Sequence, residues 1–291
     1  MKKTPPAPPA VLHQGEFWFT ELHAPGTGIT FRVKQVLYFA RTPFQEIALV
    51  ETSDMGRALF LDGTVQLTER DEFIYHEMMV HVPLCIHPRP RRVLIVGGGD
   101  GGCVREALRH PEVEEVTLVE IDGEVVDCCR KHLPLTASRL DDPRVRVLIE
   151  DGVKFMKRSR GAFDVIIVDS TDPVGMAGPL TREGFFRAAR RALTPQGLYA
   201  AQSQGPIFDG KEIGRIARTA RKAFRHVSHF LAPAPTYPGG LWSFILAARG
   251  ARNPAALRPR PLPRGEKTRY YSAGVHRAAF VLPPFVRDFI Q

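Results

Sequence analysis

The sequence predicts an α/β protein in which a small antiparallel β unit precedes a larger, parallel, doubly wound sheet. Three observations carry this reading. Residues 16–68 are rich in Val, Ile, Phe, Thr and Tyr and are broken by turn signals such as PGTG and LDGT. From residue 93 onward, short apolar runs alternate with helical patterns, as expected for strands buried on both faces and joined by crossover helices. A chain of 291 residues, 44% hydrophobic and 24% charged, also has enough apolar side chain for a substantial core.

The first ten residues, MKKTPPAPPA, read as a flexible leader, because prolines stand where a signal peptide would place its apolar helix. Residues 11–68 then form the β domain, with strands at FWFTEL, ITFRVKQVLYFA, EIALVET and RALFLDGTVQLT. From Glu69 to Val82 the apolar spacing becomes helical, and Pro83 is expected to end that helix. The second domain, 69–291, continues with strands at VLIV (93–96), VTLVEI (116–121), VRVLIE (145–150), DVIIVD (164–169) and GLYAAQ (197–202). Helices are expected over 101–110, 122–132, 152–158, 181–193 and 210–224. Two late strands, near 226–232 and 241–248, flank PAPTYPGG, which points to an antiparallel hairpin at the sheet edge. The proline-rich 252–264 stretch is a surface connection.

Composition narrows the function. No apolar run approaches the ~18 residues of a membrane span. The four cysteines, Cys85, Cys103, Cys128 and Cys129, show no CxxC pair and no Cys/His cluster at metal-ligand spacing. They read as packing thiols of a cytoplasmic protein, and no metal is expected. The net charge is +9, but the basic residues are dispersed through PRPRR (88–92), KRSR (157–160), RAARR (187–191) and 249–269 without interleaved aromatics. That is solvated surface rather than a nucleic-acid track, so neither nucleic acid nor membrane is an expected partner.

In a doubly wound sheet, ligands bind beyond the carboxyl ends of the strands. Acids stand at four such ends: Asp100 in VGGGDGG, Glu120 in VEID, Asp151 in IEDG, and Asp169 with Asp172 in VDSTDP. They predict a negative mouth on a positive molecule, suited to a cationic ligand. Gly97, Gly99 and Gly102 match GxGxxG, a weak signal alone. Asp100 inside that loop would repel a pyrophosphate, which disfavours a dinucleotide. Glu120 is placed to accept hydrogen bonds from ribose hydroxyls, and Asp151-Gly152 to meet the adenine amino group. Together they describe adenosine carrying a positive centre. A carboxylate on its tail would be repelled by Asp100, whereas an aminopropyl ammonium would pair with it. For each glycine taken singly, a mere tight turn explains it as well.

GTVQLTERDEFIYHEM (63–78), VLIVGGGDGG (93–102), VEID (119–122), VDSTDP (168–173), PTYPGG (235–240) and RYYSAGVHRAAFVLP (269–283) resemble the spermidine synthase family. The resemblance runs from about Gly15 to Phe289. It implies a Rossmann-like, methyltransferase-type second domain. It also implies aminopropyl transfer from decarboxylated S-adenosylmethionine, a co-substrate, to an amine such as putrescine, with no permanently bound cofactor and no metal. Asp169 would accept the proton, with Tyr75 and Tyr237 orienting the attacking amine. Asp172, Ser170, Thr171, Gln66, His76 and Asp100 would bind amine groups. Gln45, Gly97, Gly99, Asp100, Glu120, Asp151, Gly152, Pro179 and Leu180 would bind the nucleoside. Trp18 and SQGPIF (203–208) would line the far end of the amine channel. Without the resemblance, Tyr75, Tyr237 and Trp18 read as core aromatics and His76 as an ordinary helix histidine. The family also implies a homodimer or homotetramer. One departure stands out: Met176 occupies the family's usual proline position in the loop after Asp172-Pro173. The competing readings are transfer to agmatine, cadaverine or a triamine, an S-adenosylmethionine-dependent methyltransferase, an NAD-dependent dehydrogenase, and a non-catalytic polyamine or nucleoside binder.

Overall fold

The computed structural model describes residues 10–13, 16–172 and 175–291. Most of the leader (1–9) and the Pro173-Val174 step of the loop after Asp172 lie outside the described residues.

Strands β1 (Ala10–His13), β2 (Glu16–Ala24), β3 (Thr27–Arg41), β4 (Glu46–Thr52), β5 (Arg57–Leu61) and β6 (Thr64–Thr68) form an antiparallel six-stranded sheet in sequence order. One face is closed by Phe19, Phe31, Val50, Ala58 and Phe60. The other sends Ile47, Leu49, Leu59 and Leu67 into the large core shared with α1 (Glu72–Ile86). This split follows the period-2 alternation of side chains along each strand.

Helix α1 does not stop at Pro83, which lies inside it. A helix-interior proline costs ~3 kcal/mol through its missing N–H and ring clash. The following turn buries Leu84, Cys85 and Ile86 almost completely, at about 1.5–3 kcal/mol for each large apolar side chain. Burial therefore outweighs the break, which the local pattern alone could not reveal.

The second sheet is built from β7 (Arg92–Gly97), α2 (Gly102–Ala107), β8 (Glu115–Glu120), α3 (Gly123–His132), β9 (Val145–Ile149), α4 (Gly152–Arg158) and β10 (Phe163–Asp169). It continues through α5 (Glu183–Ala192), β11 (Leu193–Gln202), α6 (Gly210–Arg221), β12 (His226–Pro233) and β13 (Leu241–Ala248). Helices α7 (Ala273–Ala279) and α8 (Pro284–Ile290) complete the chain. Its strand order is β12-β13-β11-β10-β7-β8-β9, parallel except for β13, which runs antiparallel to both β11 and its hairpin partner β12. Along β7, Val93 and Ile95 enter the core on one face while Leu94 and Val96 enter the core on the other. That double burial is why its sequence is a continuous apolar run. The chain moves outward from β7 through β8 to β9, then returns to β10 on the other side of β7. The β7/β10 boundary is thus the topological switch point, where a doubly wound sheet opens a crevice. No helix among the described residues is long and apolar enough to cross a membrane.

Candidate active site

At the switch point Gly97 and Asp169 are direct register partners at the ends of β7 and β10. Gly97 has φ of 79°, and a Cβ there would collide with the Asp169 backbone carbonyl. Only glycine lets the chain turn away this close to its neighbour. A cleft open to solvent lies above these strand ends and is roofed by the first sheet.

On the β8/β9 side, Glu120 is buried, and its Oε1 accepts hydrogen bonds from the backbone N–H groups of Ile121 (2.8 Å) and Asp122 (3.1 Å). Burial raises its pKa to about 7, against the pull of those N–H donors. Asp151 caps α4, accepting from Val153 N at 2.7 Å, so its Oδ1 is partly committed to the helix. Gln45 reaches across from the first sheet and donates to Asp122 Oδ2 at 3.0 Å. Gly99, Glu120, Asp151, Gly152, Gln45 and Leu180 all border the cleft. Pro179 does not. Residues 175–181 form a 3₁₀ turn, in which side chains three apart share a side, so Ala177 and Leu180 face the cleft and Pro179 points off it.

The centre is built around Asp100, His76 and Asp169. Asp100 Oδ1 accepts from Gly102 N at 2.8 Å and lies 3.3 Å from His76 Nε2. His76 Nδ1 is 2.5 Å from Glu72 Oε2, and Arg105 grips both oxygens of Glu72 at 3.0 and 2.9 Å. Burial works against the charged imidazole, but Asp100 and Glu72 raise its pKa to about 9. Burial likewise works against ionised Glu72, but the His76 and Arg105 bonds hold it down at about 2. Burial pushes Asp100 up, partly countered by His76. With Glu72 ionised on Nδ1, the proton of this cluster resides on His76. The ring sits so close to Gly102 that any Cβ there would collide with it. Opposite, the Tyr75 hydroxyl donates to Asp169 Oδ1 at 2.8 Å, and burial followed by the Asp169 charge keeps that phenol well above its ordinary pKa. The Tyr237 ring lies 5.8 Å from that of Tyr75, and its hydroxyl donates to the Gln66 carbonyl.

Next to Asp169 the cleft is lined by Ser170, Thr171 and Asp172. Gln202 Nε2 donates to the Ser170 and Thr171 carbonyls at 3.2 and 3.3 Å, and Gln204 Nε2 donates to Asp172 Oδ1 at 2.9 Å. The wall at this end also includes Glu21, whose Oε2 accepts from Val65 N at 2.7 Å. Burial, with Asp172 adding repulsion, raises Glu21 to about 7. His23 lies 3.5 Å behind it. The sequence reading missed Glu21 and chose Trp18 instead. Alternation along β2 puts Phe19 and Glu21 on one face and Trp18 on the other, and Trp18 does not border the cleft. The 203–208 stretch is also outside the lining: Ser203 and Gln204 are buried behind the Asp172 loop, whereas Ile207 and Phe208 face solvent. The remaining predicted positions, Gly97, Asp100, Gln66, Tyr75, His76, Asp169, Ser170, Thr171, Asp172 and Tyr237, all meet in this one cleft.

Comparison with known proteins agrees with this geometry. The family described as spermine/spermidine synthase domain matches residues 72–255, and that described as spermidine synthase tetramerisation domain matches residues 17–69. The chain is 47% identical over 274 residues to a polyamine aminopropyltransferase of Moorella thermoacetica, covering 94% of this chain and 96% of the relative. It is 45% identical over 276 residues to that of Bacillus subtilis, covering 95% and 99%. A crystal structure of a spermidine synthase in complex with the transition-state analogue AdoDATO superposes with a TM-score of 0.91 at 37% identity, over 94% of each chain. Spermidine synthase from Thermotoga maritima gives 0.87 at 35%, again over 94% of each.

Proposed function

Because the chain belongs to the spermine/spermidine synthase family, we propose that it transfers the aminopropyl group of decarboxylated S-adenosylmethionine to putrescine, yielding spermidine and 5′-methylthioadenosine. The observation that carries this reading is the convergence of Glu21, Asp100, Glu120, Asp169 and Asp172 on one cleft of a protein whose net charge is +9. A negative cleft of this kind offsets the repulsion between a sulfonium donor and an alkylammonium acceptor.

The nucleoside lies over β7–β9, with its ribose hydroxyls on Glu120, its adenine beside Asp151, Gly152 and Leu180, and Gln45 closing from the first sheet. Asp100 holds the aminopropyl ammonium. The acceptor lies along Asp169, Ser170, Thr171 and Asp172, with Tyr75, Tyr237, Gln66 and His76 around the reacting nitrogen and Glu21 toward its far end. That nitrogen attacks the aminopropyl carbon next to sulfur. The C–S bond breaks, its electron pair stays on sulfur as the neutral thioether, and the surplus ammonium proton passes to Asp169. Full proton transfer before attack would cost about 9 kcal/mol, given free pKa values near ~10.4 and ~3.9. The attacking nitrogen is therefore the neutral amine, its own ammonium proton lost to solvent beforehand, and Asp169 takes the proton that becomes surplus as the C–N bond forms.

The match of residues 17–69 to a tetramerisation domain supports assembly as a homodimer or homotetramer through the β domain, as do Val36 and Phe39, about half exposed on β3. Four buried free thiols are in keeping with a cytoplasmic enzyme. The test is incubation with decarboxylated S-adenosylmethionine and a panel of putrescine, cadaverine, agmatine and spermidine, read by mass spectrometry. Methylthioadenosine with spermidine as the dominant product supports the proposal. Release of methylthioadenosine with another amine product overturns the acceptor. No methylthioadenosine at all overturns the reaction.

A further inference from the structure

His76, Cys103 and Asp169 come from α1, α2 and the end of β10, and their sequence spacing gives no metal motif. The fold nonetheless brings a ring nitrogen, a sulfur and a carboxylate oxygen within 4.8 Å of one another. Three further facts distinguish this trio from chance proximity. His76 Nδ1 is fixed on the buried Glu72 carboxylate at 2.5 Å, the carboxylate–imidazole support that metal-binding histidines use, which leaves Nε2 as the coordinating nitrogen. Asp169 Oδ2 is shielded from solvent, and the group set against this carboxylate is the Cys103 thiol, so sulfur and carboxylate already face each other. Asp100 Oδ1, outside that 4.8 Å group, lies 3.3 Å from His76 Nε2 and puts a second carboxylate beside the nitrogen.

We propose that His76, Cys103 and Asp169, with Asp100 completing the set, bind a borderline-soft divalent cation of the zinc class, and that its occupancy reversibly shuts the active site. Nitrogen, thiolate and carboxylate donors in one site select zinc-class ions over hard ones such as magnesium. Bond lengths of ~2.0–2.3 Å put tetrahedral donors roughly 3.5 Å apart, so the three side chains draw together from separations of up to 4.8 Å as the ion binds. Binding exchanges protons for the metal: the Cys103 thiol releases one to solvent as sulfur takes its place on the cation, and protonated His76 releases another from Nε2. No electron changes hands. The bound ion then occupies the Asp169 and Asp100 oxygens and puts positive charge where two cationic substrates must meet. Cys103 is fully buried behind Asp169 and does not itself border the cleft, although its thiol faces the Asp169 carboxylate that does.

This inference rests on the proposed roles of Asp169 and Asp100 only for its inhibitory consequence; the binding site itself is tested without turnover. Purified full-length protein, stripped with a chelator, is titrated with Co²⁺ and followed by near-ultraviolet absorption. The wild type should develop a thiolate-to-cobalt charge-transfer band that Zn²⁺ abolishes and Mg²⁺ does not, and Cys103→Ala should develop none. In the aminopropyl-transfer assay, Zn²⁺ should inhibit the wild type reversibly on chelation. Cys103→Ala, scored against its own metal-free rate, should need at least about tenfold more Zn²⁺. Cys103→Val, equally without a donor, serves as the second variant, with thermal melting confirming that each is folded. Absence of a thiolate band in the wild type overturns the proposal, as does a band or a Zn²⁺ sensitivity unchanged in both folded variants.

Discussion

Asp169→Asn leaves an oxygen to accept from the Tyr75 hydroxyl, which donates to Asp169 Oδ1 across 2.8 Å, but it removes the negative charge of the carboxylate. Two unit charges ~4 Å apart interact by about 4 kcal/mol at an effective dielectric constant near 20. If that attraction is realised mainly as the proton leaves the amine, its loss slows the chemical step by roughly 10³-fold, at 1.36 kcal/mol per decade. This falls within the ~10²–10⁴-fold range of general-base contributions. The assay is rapid-quench measurement of methylthioadenosine formation under saturating donor and putrescine, paired with calorimetric titration of methylthioadenosine into the free enzyme. The chemical step should fall by about three decades while methylthioadenosine affinity stays within about threefold. Turnover within tenfold of the wild type would refute the assignment of Asp169 as proton acceptor. So would lost nucleoside binding accompanied by normal turnover of the residual complex.

Asp100→Ala should weaken decarboxylated donor by about 10–100-fold, from the ~1.5–3 kcal/mol of a charged hydrogen bond, and methylthioadenosine, which lacks the ammonium, by no more than about threefold; equal losses would remove the ammonium contact. Glu21, raised to about 7 by burial and Asp172, is neutral below that pH and charged above it, whereas neighbouring His23 is pushed down by burial and stays neutral at pH 7. Putrescine should therefore bind the methylthioadenosine complex more tightly as pH rises from 6 to 8, and Glu21→Gln should flatten that dependence and cost about tenfold in affinity at pH 8. A Glu21→Gln profile that tracks the wild type in calorimetry would move the far amine contact elsewhere.

How much of this was legible in the sequence depended on whether the signal was local. The strand ends were readable because each apolar run closes on an acid, so Asp100, Glu120, Asp151 and Asp169 could be placed at one rim before any coordinates. The edge hairpin around Tyr237 was readable from its proline-glycine loop. What failed depended on packing between distant segments. Pro83 looks like a stop until the buried turn beyond it is seen. The family resemblance pointed to Trp18 as a channel residue, while register turned Glu21, a plain acid in a strand, toward Asp172. Pro179 and Leu180 are adjacent in sequence but diverge on a 3₁₀ turn. Gln202 and Gln204 act on the Asp172 loop through carbonyls and a carboxylate, contacts with no motif. Cys103 read as a packing thiol because the partners that give it chemistry lie on two other elements.

The most direct measurement of the central claim, that converging carboxylates select a donor bearing an ammonium without a carboxylate, is a pair of calorimetric titrations of the wild-type protein. One uses decarboxylated S-adenosylmethionine and the other S-adenosylmethionine, at the same pH and low salt. The account predicts that the decarboxylated donor binds at least about 100-fold more tightly, since ~3 kcal/mol of lost pairing and added repulsion at Asp100 separates them. Equal affinities, or tighter binding of the carboxylated donor, would contradict it.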